Sequence, residues 1–118
     1  MSKSSKQKKS AAPMMYRQGD VLIVAVDKVP DDAKEVPRDK RGVILAEGEV
    51  TGHAHRIAHR SASLYRSESD ARFLRVMGPA PVALSHEEHT AVELPPGNYR
   101  VSIHREYQPG ELPRQVAD

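Results

Sequence analysis

The sequence predicts an all-β fold, a small single-domain β-barrel or sandwich of about six to seven short strands. Three observations carry that expectation. Apolar residues come in short alternating or β-branched runs, Gly/Pro-rich turns separate those runs, and no segment sustains a helical period. The 118 residues give room for one modest core. With one Phe, four Tyr and no Trp, that core must be built from Val, Leu and Ile.

Residues 1–13 are polar, Lys-rich and low in complexity, and are expected to form a disordered basic tail. A single β domain then spans 14–118. Gln18-Gly19-Asp20 reads as a turn, followed by Val21 to Val26 as a well-buried strand. Lys28 to Gly42, with Pro30, Pro37 and mixed charges, reads as a long polar loop. A helix over Pro30 to Glu35 would be too short and polar to matter. Val43 restarts a strand expected to run through Val50 towards His55 or Ile57, with Gly48 as a bulge. A short strand is expected around Leu64-Tyr65, another over Arg72–Met77, and a third over Val82–Leu84. Ala91 to Leu94 ends at the turn Pro95-Pro96-Gly97-Asn98, and Tyr99 to Glu106 alternates once more.

Charge is unevenly placed. Residues 1–19 hold five basic side chains and no acid, leaving 13 of the 18 basic residues against all 16 acidic ones in the rest. The net charge of +2 therefore describes the tail and not the folded body. The tail is either a solubilising extension or an arm for weak nucleic-acid contact. No apolar run approaches the roughly 20 residues that cross a bilayer, and no apolar stretch follows the N-terminal lysines as in a secretory signal. A cytoplasmic protein without membrane contact is expected. The absence of cysteine excludes disulfides, zinc ribbons, iron–sulfur clusters and thiol nucleophiles.

The chemically suggestive feature is a pair of histidine segments, Gly52-His53-Ala54-His55 and His86-Glu87-Glu88-His89. If Val50 to His59 is extended, Thr51, His53, His55, Ile57 and His59 share one face, with histidines at i and i+2 about 7 Å apart at Cβ. Imidazoles so spaced can close on a common ion. Val82, Leu84 and His86 share parity, so His86 continues an inward row, and a turn would let His89 converge with it. Neutral imidazoles near carboxylates suit zinc first, with iron or manganese next. The proposed metal ligands are thus His53, His55, His86 and His89, with His59 in reserve. Glu88 would support a ligand or, in an enzyme, act as general base. The same histidines can equally be hydrogen-bonded core residues. The i, i+3 spacing of HEEH does not match the i, i+4 helical histidines of zincins. Tyr99, Val101 and Ile103 share one apolar face, and His104, of opposite parity, is expected at the surface.

Gly48 to His59 resembles the first cupin motif, with His53 and His55 at its two histidines and His59 in place of its Glu. Pro95-Pro96-Gly97 resembles the second motif, with Arg100 in place of its histidine. This resemblance implies a β-barrel and a metal-dependent enzyme. The blocks GDVL, EGEVTGHAHR, HEEH, LPPGNYRV and REYQP together look like a family of small uncharacterised bacterial proteins, a resemblance that implies no function. Three readings remain: a small metal-binding β protein, a non-catalytic subunit of a larger, possibly nucleoprotein, assembly, or, as the cupin resemblance implies, an enzyme such as an isomerase or dioxygenase. The second would use the tail, the 28–42 loop and a basic face of Arg56, Arg60, Arg66, Arg72 and Arg75.

Overall fold

The computed structural model describes residues 14–48 and 50–104. The basic tail and the chain beyond His104 lie outside the described residues. Among the described residues there are ten strands and no helix, so nothing there is a helix long and apolar enough to cross a membrane. The strands, in chain order, are β1 (Met15–Gln18), β2 (Val21–Val26), β3 (Lys34–Glu35), β4 (Val43–Glu47) and β5 (Ala54–Ile57). They continue with β6 (Ala62–Arg66), β7 (Arg72–Val76), β8 (Val82–Leu84), β9 (Val92–Leu94) and β10 (Gly97–Ile103).

One layer is a six-stranded antiparallel sheet in the order β1-β2-β10-β7-β6-β3. Its inward row is set by strand alternation: Val21 and Ile23 on β2, Tyr99 and Val101 on β10, Leu74 and Val76 on β7, Ala62 and Leu64 on β6. The other layer consists of two hairpins, β4-β5 and β8-β9. They are joined where Arg56 and Ser85 exchange backbone hydrogen bonds of 3.0 and 2.8 Å. This layer contributes Val43, Leu45, Ile57, Val82, Leu84 and Leu94 to the same core. Each fully buried aliphatic side chain stabilises the fold by roughly 1.5–3 kcal/mol, so the facing rows are what hold the two layers together. The guanidinium of Arg72, on the inward face of β7, reaches across to the carbonyl of Leu45.

The all-β expectation holds, but the described residues form ten strands where about six to seven were expected, and several boundaries differ. Val21 to Val26 buries only one face: Val21 and Ile23 are fully enclosed while Leu22, Val24, Ala25 and Val26 are half-buried. The reason is that β2 is flanked by β1 and β10, yet the second layer covers only one side of the sheet. The expected continuous strand from Val43 to His55 is a hairpin. Gly48 N–H donates to His53 O at 2.9 Å, Gly52 N–H donates to Gly48 O at 3.0 Å, and Gly52 sits at φ +74 to turn the chain back. The bulge falls at Leu45, between Ile44 and Ala46, and not at Gly48. Within the 28–42 segment, β3 adds to the edge of β6, and Asp39 and Gly42 bond each other at 2.9 and 2.8 Å. That segment is therefore partly ordered onto the sheet. The five arginines do not share a face. Arg56 pairs with Glu87 and Arg66 with Asp70, while Arg72 and Arg75 point to opposite sides of β7.

Candidate metal centre

Register brings the two histidine segments together. In antiparallel pairing the residue after Ser85 lies opposite the residue before Arg56. The Ser85–Arg56 bridge therefore sets His86 against His55, and their ring centroids are 4.3 Å apart. The inward alternation of Val82 and Leu84 continues to His86, which is 7 % exposed, while His55 is fully buried.

The chain then turns, and Glu87 fastens the turn to β5. One carboxylate oxygen accepts the Ala54 N–H at 3.0 Å, and the other accepts from Arg56 at 3.2 Å. The backbone bond from Ala54 and then the bond from its own N–H hold the Glu87 carboxyl at about 2, with Arg56 and His53 adding smaller pulls. Beyond it, His89 folds back over the β1–β2 turn. Its ring centroid is 4.5 Å from His86 and 5.6 Å from His55. Gly19 makes room for it: a Cβ there would lie 2.7 Å from His89 Nε2. One nitrogen each from His55, His86 and His89 lies within 4.8 Å of the others.

Gln18, at the end of β1 and 2 % exposed, fixes the state of His55. Its amide nitrogen donates to Leu84 O at 2.9 Å and to Thr90 O at 3.0 Å. Both partners can only accept, so the orientation of the amide is determined and its oxygen must face His55 Nδ1, at 2.8 Å. That nitrogen therefore carries a proton and donates it, which leaves Nε2 as the ring nitrogen that His55 turns to the cluster. This is the arrangement by which proteins orient a histidine ligand. His86 is set differently: the Glu88 N–H donates to its Nδ1 at 3.0 Å, which leaves the ring proton on Nε2. Ligation by His86 Nε2 would require that proton to leave and the Glu88 bond to be given up.

A second group, His53, His86 and Glu87, also has ligand atoms within 4.8 Å of one another. His53 precedes β5 and stands edge-on to His86, with centroids 5.7 Å apart at 89°. Its Nδ1 is buried without a hydrogen bond, and the Glu88 carboxylate is 3.6 Å away. Among the sequence-selected residues, the fold thus gathers His55, His86 and His89 on one side and His53 with His86 on the other. Glu88 belongs to neither group and is largely exposed beside His53. His59 lies after β5, exposed, accepting the Ser61 N–H at 3.1 Å, and is in neither group. His104 is exposed and bonds Ser102 at 3.0 Å. Pro95 and Pro96 form the β9–β10 connection and Gly97 begins β10, while Arg100 points outward from the sheet, away from the cluster.

Three participants were not singled out from sequence. Gln18 and Gly19 read only as a turn, and Glu87 was indistinguishable from Glu88. The inward parity of Gln18 with Tyr16 was the one available signal.

Fold and site together define a small all-β domain with a buried histidine cluster capable of holding a metal ion. The chain belongs to a family known as a domain of unknown function (DUF8820), whose model matches residues 17–113. No curated protein and no solved structure matches it.

Proposed function

We propose that this protein binds a divalent transition-metal ion, zinc by preference, between His55, His86 and His89. The observation that carries the reading is the donor set. Three imidazoles from two distant segments of the chain offer nitrogens within 4.8 Å of one another, and one of them is locked by Gln18 in the tautomer a ligand needs. An all-nitrogen set favours zinc over manganese, which prefers oxygen donors. Three protein ligands leave a tetrahedral ion one open position, the pattern of catalytic and ligand-binding sites. In this reading Glu88, at the outer edge beside His53, is the carboxylate available to move a proton.

The test is elemental analysis of the purified full-length protein and of a His55→Ala/His89→Ala double variant. The expected result is stoichiometric metal in the parent and none in the variant. A metal-free native protein that gains no thermal stability from added zinc rejects the proposal.

The Glu88 N–H bond to His86 Nδ1 favours a second reading, in which the three rings are a hydrogen-bonded core element without metal. Imidazole nitrogen NMR separates the two. On this second reading the Nε2 proton of His86 persists when zinc is added.

A further inference from the structure

The two histidine groups share one ring. His86 belongs both to the set with His55 and His89 and to the set with His53 and Glu87. They differ in depth by degree: the inner set has His55 and His86 buried and His89 half-buried, whereas the outer set adds to buried His86 the side chains of His53 and Glu87, 27 % and 37 % exposed. Their charge differs as well. The inner set is three imidazoles with no carboxylate; the outer set includes Glu87, with the Glu88 carboxylate 3.6 Å from His53.

A hydrated dication arriving from solvent meets the carboxylates first, where attraction is strongest. The inner nitrogens offer no charge but a donor type that suits zinc better. Resting on the metal-binding reading above, we propose that His53, His86 and Glu87 form the port through which the ion passes to and from the inner site, with His86 handing it across. Because the ring is shared, the two positions exclude each other and each chain holds one ion. Filling both would require His86 to bridge two ions as an imidazolate, without its last ring proton and without the Glu88 bond.

A residue that ligates only in passage has a kinetic signature. Losing it raises the same barrier for entering and leaving, so both rates fall by one factor and the equilibrium constant stays put. Loss of a resident ligand instead mainly speeds release.

The experiment is rapid-mixing uptake of cobalt(II) by the full-length chain, followed by its visible absorption, with release measured by a chelator chase. For His53→Gln, one cobalt per chain is expected, with uptake and release both slowed about tenfold and Kd changed by less than about threefold. For His89→Gln, binding through the port remains fast but Kd weakens by about 10–100-fold. Should far-UV circular dichroism show the glutamine variant misfolded, His53→Asn takes its place. Faster release from the His53 variant with unchanged uptake makes His53 a resident ligand and overturns the port. Two cobalt ions per parent chain also overturn it. Either result leaves metal binding standing, whereas a parent chain that takes up no cobalt refutes the metal-binding reading itself.

Discussion

Replacing Gln18 by leucine keeps the size of the side chain and removes its polar end, which isolates what the amide contributes. Gln18 is 2 % exposed and makes three hydrogen bonds, to Leu84 O, Thr90 O and His55 Nδ1. They are not equivalent. Thr90 is exposed, so its carbonyl regains water and its loss costs little. His55 is fully buried, and its Nδ1–H would be left without an acceptor. The inward-lying Leu84 carbonyl loses its donor in the same dry region. An abandoned buried donor or acceptor costs about 1–3 kcal/mol, so the two together come to about 3 kcal/mol after the apolar gain from leucine. That is a large part of the roughly 5–15 kcal/mol that holds a domain of this kind. Urea denaturation followed by far-UV circular dichroism measures it. Zinc affinity should fall by about 10–100-fold as His55 loses its fixed tautomer. Gln18→Glu should be worse near neutral pH, because a carboxylate turns an acceptor towards two carbonyls. A Gln18→Leu protein within about 1 kcal/mol of the parent would refute the reasoning, since a net loss that small is what one ordinary hydrogen bond costs.

Further predictions follow from the same site. The Glu87 carboxyl is held at about 2 against an ordinary 4.5, so its clamp contributes stability fully above about pH 4.5 and loses it as pH falls towards 2. The Ala54 amide proton, monitored by NMR, should titrate near 2; a midpoint near 4.5 means the clamp is absent in solution. Gly19→Ala places a Cβ 2.7 Å from His89 Nε2 on a backbone at φ +58. It should cost about 1–2 kcal/mol in the denaturation assay and displace His89, weakening zinc binding. An alanine variant with parental stability and zinc affinity would show that His89 does not rest on this turn. Leu84→Ala, at a fully buried position beneath the cluster, should cost about 2–5 kcal/mol, and a loss under about 1 kcal/mol would place it outside the core.

Local alternation made much of the fold legible. Tyr99 and Val101 face the core as their parity requires, whereas Ile103 at the end of β10 is exposed, and Val82, Leu84 and His86 form one inward row. Most Gly/Pro segments fall between strands as expected, although Gly97 and Asn98 of the expected 95–98 turn already pair within β10. Alternation also misled, because it extended one strand through Gly48 and placed His53, His55 and His59 on a common face. The turn at Gly52 ends that extension, β5 holds only Ala54–Ile57, and His59 is left outside the cluster. Alternation fixes which side of its own strand a residue takes, but not where a strand stops when a glycine permits a reversal.

The sequence by itself determined an all-β chain without cysteine, its net positive charge confined to one end, and two histidine segments with inward-facing members. Tertiary structure alone decided which histidines meet. The grouping of His55 with His86 follows from one backbone bridge between Arg56 and Ser85, and that of His89 from the space above Gly19. The proton on His55 depends on Gln18, 37 positions earlier in the chain. Such contacts are set by register between separate hairpins, and no local period in the sequence encodes that register.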